Sequence, residues 1–212
     1  MRVRELPILF NDEMVQALLT GRKTCTRRAI KLPDKMTGRP IGKSGDSSNP
    51  LGFFYPGGIK RPPYQPGDIL YVRETWSEIK NADGSHKKYV YKASDQYPFG
   101  ESRYIIKFNW KPSIHMPKKA ARIWLKVTDV RVERLQDITE DGAKEEGANF
   151  KNGKNVGLEE KMRRTAIERF AEIWNSTIKK TDIDRYGWDA NPWVWVIEFE
   201  RCKSRERSSN GY

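Results

Sequence analysis

The chain has 212 residues, of which 32% are charged and 11% are aromatic, and its formal net charge at pH 7 is +12. This length can bury a core, and a count of seven tryptophans argues against a globally disordered protein. The excess of positive charge favours polyanionic partners, nucleic acid above all, although a basic surface that only aids solubility is the alternative.

The cysteine and histidine content restricts the compartment and the cofactors. Cys25 and Cys202 lie near opposite ends of the chain and imply no disulfide framework, so we expect a cytoplasmic protein. The few histidines and cysteines are scattered, and there is no phosphate-binding loop or dinucleotide fingerprint, so we expect no metal and no cofactor. No apolar run approaches the length of a membrane span, so no membrane partner is expected. The oligomeric state stays open.

The first predicted elements lead into a dense basic segment. We predict a strand over 7–10, a helix over about 12–20, and a helix end at Gly21. The segment Gly21–Arg28, which enters a strand at 24–26, combines four basic side chains with two threonines. Such a segment can hold an anion or polarise a carbonyl group, or it can be a solvated, charged edge strand.

Residues 31–67 differ in composition from the rest of the chain. Seven of the twelve prolines fall in this stretch, together with many glycines and serines, so we expect a long loop or lid within one domain. The aromatic triplet Phe53–Tyr55 indicates either a small satellite cluster or a surface that stacks on a ligand.

A strong strand is predicted over Ile69–Trp76. Alternation places Glu74 on the same face as large apolar residues and Arg73 on the opposite face. A carboxylate among apolar side chains needs a partner or a raised pKa. Glu74 is therefore either an ion-pair residue that fixes the sheet or a site residue.

The middle of the chain contains the candidate histidine. Residues 110–117 are predicted to be rigid and extended, because prolines flank Ser113 and His115. His115 is either a site acid or base, or a hydrogen-bonded structural residue. Around this segment we predict a hairpin turn at 81–84 and strands over 88–91, 104–108 and 121–134.

The last third of the chain supplies the longer helix. A short acidic helix is predicted to start at Asp137, to end near Gly147 and to present Glu146. Beyond it we predict a helix over 158–178 with a core-facing stripe, a strand over 193–200 and a basic, disordered tail over 201–212. Together these elements predict an α+β chain with a small curled sheet or barrel and helices against it.

Four motifs carry a family resemblance. They are Gly21-Arg-Lys-Thr-Cys-Thr-Arg-Arg28, Pro66-Gly-Asp-Ile-Leu-Tyr-Val-Arg-Glu-Thr-Trp76, Trp110-Lys-Pro-Ser-Ile-His-Met-Pro117 and Asn191-Pro-Trp-Val-Trp-Val-Ile-Glu-Phe199. Their combination resembles the ASCH-domain family, in particular the larger members often encoded by phages and prophages. The resemblance implies a PUA-like β-barrel with helices packed against it, in one domain over 1–200 with insertions at about 31–65 and 77–109.

The resemblance also implies an activity. One small bacterial branch of the family removes the acyl group from N4-acetylcytidine, and its catalytic Lys, Thr and Glu fall here on Lys23, Thr26 and Glu146. The expected partner is thus a modified nucleoside or RNA. The residues that we expect to contribute to substrate binding are Arg28, Arg73, Glu74, Ser113 and His115, of which the last four have no clear equivalent in the small enzymes.

Such a trio can hydrolyse an amide without a metal. Thr26 can attack the carbonyl or relay a proton while water attacks. Lys23 can stabilise the oxyanion or act as the base, and Glu146 can activate water or protonate the leaving nitrogen. The alternative functions are a non-catalytic or nucleolytic RNA-binding module, and a phage-associated interaction or morphogenetic protein.

Overall fold

Strands outnumber helices in the part of the chain that the computed structural model describes, which is residues 3–33, 36–46, 49–80, 86–94, 108–148 and 165–203. The strands are β1 Glu5–Leu9, β2 Cys25–Ala29, β3 Arg39–Ile41, β4 Gly52–Tyr55, β5 Gly58–Lys60, β6 Ile69–Arg73, β7 Trp76–Lys80, β8 His86–Tyr91, β9 Trp124–Arg134 and β10 Trp193–Cys202. The helices are α1 Asp12–Leu19, α2 Glu140–Glu145, α3 Ala166–Thr177 and α4 Ile183–Tyr186. The predicted α+β class is therefore confirmed.

The chain packs as two units, each assembled from segments that are distant in sequence. The first comprises Met1–Gly21, Asp68–Lys126 and Arg201–Tyr212, and the second comprises Arg22–Gly67 and Val127–Glu200. The boundary between the two units passes through β9. The predicted extent of a single domain over 1–200 stays a prediction.

In the first unit, β6 lies between β1 and β9. Strand β1 is parallel to β6 and β9 is antiparallel to it, so that Leu70 has Leu6 on one side and Leu125 on the other. Helix α1 begins where the sequence predicts, because the side chain of Asn11 accepts a hydrogen bond from the Met14 backbone N–H at 2.9 Å. The buried face of α1 consists of Met14, Val15, Ala17 and Leu18.

The predicted continuous strand over 69–76 was wrong, because β6 ends at Arg73 and β7 starts at Trp76. The backbone N–H of Glu74 points to the sulfur of Met116 at 3.3 Å instead of to a strand carbonyl. The predicted alternation of burial nevertheless holds, with Glu74 fully buried and Arg73 half-buried. Trp76 opens the antiparallel β7–β8 pair. The predicted hairpin turn at 81–84 and the predicted strand over 104–108, except for Phe108, lie outside the described residues.

The segment 110–117 is not extended throughout. Ser113–His115 forms a turn of 3₁₀ helix, closed by a hydrogen bond from the Met116 N–H to the Ser113 carbonyl at 3.0 Å. Pro112 and Pro117 have the extended conformation that the sequence predicts, but they do not constrain the residues between them.

In the second unit, β2 runs antiparallel to β10, and β10 has β9 as its other neighbour. The pairing extends from Cys25 opposite Glu198 to Ala29 opposite Val194. Strand β10 continues to Cys202 and so includes the first residues of the predicted tail, whose remainder from residue 204 lies outside the described part of the chain.

The Pro-rich stretch 31–67 contains a small sheet, so it is not simply the long loop that its composition predicts, and its role as a lid stays a prediction. Strands β3, β4 and β5 form an antiparallel sheet with β4 in the centre. Phe53 of β4 is completely buried and its ring lies 5.8 Å from that of Trp193. A side chain at Gly38 would collide with Phe53 and with the backbone of Phe54, so close packing requires glycine there.

The caps of the two later helices differ from the predicted starts where the structure describes them. Helix α2 is capped by Thr139, which accepts from the Gly142 N–H at 3.0 Å, and not by Asp137. Helix α3 starts after Thr165, which has an extended backbone and forms a reciprocal capping box with Glu168, so the predicted helix is interrupted at Thr165. Residues 158–164 of that prediction lie outside the described part of the chain. The predicted buried stripe is confirmed for its described members, which are Ala166, Phe170 and Trp174.

The described strands form no closed barrel. The ladder order is β1-β6-β9 in the first unit and β9-β10-β2 in the second, and neither series returns to its first strand. Among the described residues, no helix has the length and apolar character needed to cross a membrane.

Candidate functional site

The second unit contains a buried ion pair between Lys23 and Glu146. The ammonium Nζ of Lys23 donates to the Glu146 carboxylate at 2.6 Å and to the backbone carbonyl of the same residue at 2.8 Å. Only 1% of the Lys23 side chain and 6% of the Glu146 side chain are exposed. The resemblance of the motifs to the ASCH-domain family predicted that these two residues share a site, and the structure brings them into direct contact.

Backbone hydrogen bonds fix both partners of this pair. Next to Lys23, the Thr24 N–H donates to the Glu145 carbonyl at 2.9 Å and the Thr24 carbonyl accepts from Phe199 at 2.9 Å. Glu146 is the C-cap of α2, and Gly147 follows it in the left-handed conformation with φ of 87°. The carboxylate therefore projects from a helix end that is attached to the entrance of β2.

Arg27 is a second cation on the same carboxylate. Its guanidinium donates to Glu146 Oε1 at 3.4 Å and to Glu133 Oε2 at 3.2 Å, and it lies 5.9 Å from the centre of the Phe170 ring. Its Nε is buried without a hydrogen-bond partner among the described residues. Both oxygens of Glu146 thus contact a cation.

The ion pairs of Arg27 were not predicted from the sequence, although the alternation of side chains along β2 indicates which face Arg27 occupies. Alternate residues of a strand share a face, so Cys25 and Arg27 lie on one side of β2. Glu198, directly opposite Cys25, lies on that side as well and contacts Arg131, which also binds Glu133. The carboxylate partners of Arg27 are Glu133 on β9 and Glu146 at the end of α2, and the spacing along β2 does not reveal them.

Thr26 occupies the other face of β2. It is 4% exposed, lies opposite Ile197, and its hydroxyl forms no hydrogen bond with the described residues. Lys23 precedes the regular strand, so the alternation of side chains along β2 does not determine the direction of its side chain. The convergence of Thr26 with Lys23 and Glu146 on one pocket stays a prediction.

Cys25 is not a candidate nucleophile. Burial raises the pKa of its thiol to about 12, and the nearby Glu146 carboxylate adds to the rise against the opposing effect of Lys23. A thiol with this pKa is protonated at neutral pH and reacts slowly.

Arg28 lies on the face of Thr26 and is half-buried. Desolvation lowers the pKa of its guanidinium, while Tyr64 and Glu146 act in the opposite direction. Since arginine keeps its proton in proteins, Arg28 supplies a fixed positive charge close to Glu146. Its predicted role in substrate binding stays a prediction.

The other predicted binding residues lie in the first unit, where Glu74 and Arg73 have partners of their own. Glu74 is fully buried and receives two hydrogen bonds from Arg122, at 2.8 and 2.7 Å. Burial raises the pKa of Glu74, and Arg122 counteracts part of the rise. Arg73 donates to the Met116 carbonyl at 2.7 Å. These contacts agree with the structural interpretation of Glu74 as an ion-pair residue that fixes the sheet.

Ser113 and His115 lie in the 3₁₀ turn of the first unit. His115 is exposed and Ser113 is half-buried. The structure gives neither side chain a contact with Glu74 or Arg73, and their predicted roles stay predictions.

Comparisons with known proteins do not identify a family. No protein-family model matches the chain, no curated protein matches it, and no solved structure matches it.

Proposed function

We propose that the chain is an ASCH-type amidohydrolase with a PUA-like fold, which removes the acyl group from N4-acylated cytidine without a metal ion. The observation that carries the proposal is the buried ion pair of Lys23 and Glu146, with 2.6 Å between Nζ and Oε2. Burying two charges costs desolvation that their attraction only about balances, so such a pair often has a role besides stability.

The reaction requires an oxyanion site and a proton carrier. A nucleophile adds to the acyl carbonyl, the C–N4 bond breaks, the cytosine amino group gains a proton, and the acyl group leaves as a carboxylic acid after addition of water. Lys23, as the ammonium member of the ion pair, stabilises the oxyanion in a site from which water is largely excluded. Glu146 takes the proton of the nucleophile and delivers it to N4.

The role of Thr26 separates two versions of this mechanism. If its hydroxyl attacks, an acyl-enzyme forms, and rapid acid quench with intact-protein mass spectrometry detects a mass gain of one acyl group. If water attacks and Thr26 relays a proton, no such adduct accumulates. The neighbouring cations Arg27 and Arg28 favour either version by stabilising negative charge.

The test is the conversion of N4-acetylcytidine to cytidine, followed by the ultraviolet spectrum. We expect turnover by the wild type and a loss of at least roughly 10²-fold in Glu146→Gln and in Lys23→Ala. The matched control is Asp141→Asn, which removes a carboxylate from the same helix that is paired with Lys144 at 2.8 Å but is 86% exposed. This control should retain activity. A folded wild type that leaves N4-acetylcytidine and its longer acyl relatives unchanged overturns the proposal.

A non-catalytic nucleic-acid-binding module is the second candidate function. The observation that favours it is the net charge of +12. It predicts binding of RNA without hydrolysis of the nucleoside, so the same assay separates the two functions.

A further inference from the structure

The outer face of the β3–β4–β5 sheet exposes an aromatic ring in a position where no core requires it. One row across this sheet consists of Arg39, Phe54 and Ile59, which are direct neighbours in the strand register. Phe54 is 44% exposed and Ile59 is 48% exposed, whereas Phe53 on the inner face is completely buried. The inner face alone therefore packs the sheet onto the second unit.

One guanidinium group lies beside the exposed ring, and a second lies further along the same face. The guanidinium carbon of Arg39 lies 5.8 Å from the centre of the Phe54 ring. Arg61 lies above Gly52, which shares the face of Phe54 two positions along β4, and its Nη1 donates to the carbonyls of Pro50 and Leu51. A side chain at Gly52 would meet Arg61 at 3.1 Å, so glycine leaves room for this arrangement.

The charges around this face are not balanced. In the described residues 36–46 and 49–67, the charged side chains are Asp46 and four cations, which are Arg39, Lys43, Lys60 and Arg61. None of these four cations forms an ion pair within the described residues. Phe54 therefore lies on a sheet whose described cations have no carboxylate partner among the described residues, and a polyanion is a complementary ligand for them.

We infer that this face binds single-stranded nucleic acid, with an unpaired base stacked on Phe54 and the adjoining phosphates at Arg39 and Arg61. Base stacking on an exposed aromatic residue of a sheet, with cations along the backbone path, is a common mode of single-strand recognition. A protein partner fits less well, because Phe54 and Ile59 form a small apolar area and stable protein interfaces bury about 800 Å² on each side.

The test measures binding of fluorescein-labelled oligouridine and oligothymidine of about 12 nucleotides by fluorescence anisotropy at low salt. Phe54→Ala should weaken binding roughly 5- to 150-fold, as expected when a stacked base loses its aromatic partner. Phe54→Tyr should keep the affinity, and Phe54→Leu, which is apolar but not aromatic, should lose it. The matched control is Ile114→Ala, which truncates a side chain that is 57% exposed in the first unit.

The salt dependence of binding in an Arg39 variant is an independent test of the phosphate contact. Removal of its charge in Arg39→Gln should reduce the slope of log affinity against log salt by about 0.7, the value for one phosphate contact to a single strand. Thermal melts verify that each variant is folded, which is expected because Phe54 and Arg39 are exposed.

Binding of either oligonucleotide that depends on the Phe54 ring supports the inference. Tighter binding of oligouridine than of oligothymidine would indicate an additional contact to the 2′-hydroxyl. Wild-type affinity in Phe54→Ala or in Phe54→Leu overturns it, as does absence of binding at low salt. The inference does not rest on the proposed hydrolysis, since binding is measured on unmodified bases.

Discussion

Removal of one member of the Lys23–Glu146 pair should destabilise the second unit strongly. At an effective dielectric constant of about 20, charges 2.6 Å apart attract each other by about 6 kcal/mol, and desolvation of both ions offsets most of this gain. Lys23→Met removes the attraction but leaves Glu146 buried. Loss of one member of a buried pair costs about 3–5 kcal/mol, and we expect the lower end because Arg27 remains 3.4 Å from Glu146.

The double variant Lys23→Met with Glu146→Gln tests whether the loss of stability in Lys23→Met comes from the buried, unpaired carboxylate of Glu146. It buries neither charge of the pair, and Arg27 keeps Glu133 at 3.2 Å. We therefore expect the double variant to be more stable than the sum of the single effects predicts, with a coupling free energy of about 2–3 kcal/mol.

The assay is urea unfolding followed by tryptophan fluorescence and circular dichroism. Trp174 and Trp195 are buried in the second unit and report on it. If the two units unfold in separate transitions, only the transition of the second unit should move. A change below about 0.5 kcal/mol in Lys23→Met, the value of a solvent-screened surface pair, would refute the burial argument.

Three further predictions concern single side chains. Thr26→Ser should retain more hydrolysis of N4-acetylcytidine than Thr26→Ala, because it keeps the hydroxyl; equal rates would exclude a role for that hydroxyl. Iodoacetamide at pH 8 should label Cys202 in the native protein and Cys25 only after unfolding, because burial raises the pKa of Cys25 to about 12; peptide mapping checks this, and rapid labelling of Cys25 would contradict it. Burial raises the pKa of Glu74 from its ordinary value of 4.5, so its contribution to stability is present below that pH and is lost as pH rises through the folded value. The unfolding free energy of wild type should therefore fall relative to Glu74→Gln as pH increases through this window, and a constant difference would count against the raised pKa.

Local signals in the sequence predicted the elements that depend on nearby residues. Helix α1 has its cap at Asn11, and the stripe of α3 was visible from its spacing. The interruption at Glu74 was not predictable in this way. It depends on Met116 and Arg122, which are more than forty residues away in sequence. The sheet of β3, β4 and β5 was also not predictable from the composition, because short strands between prolines lack a clear alternation of apolar and polar residues.

The candidate site was predicted only in part. The family resemblance, and not spacing or composition, connected Lys23 with Glu146. The contacts of the second cation of the cluster, Arg27, were not predictable, because its partner Glu133 lies on another strand. Contacts of this kind are set by the register of a sheet, and a single sequence does not contain that register explicitly.

The pairing of β2 with β10 has a consequence for synthesis of the protein. Ala29 pairs with Val194, about 165 residues later. At a translation rate of about 5–20 residues per second, β2 waits roughly ten to thirty seconds on the ribosome before its partner strand exists. During that interval its backbone groups are open to other nascent chains, and the charges of Lys23, Arg27 and Arg28 protect it by repulsion. Variants that neutralise these charges should therefore aggregate during translation even where the finished fold tolerates them.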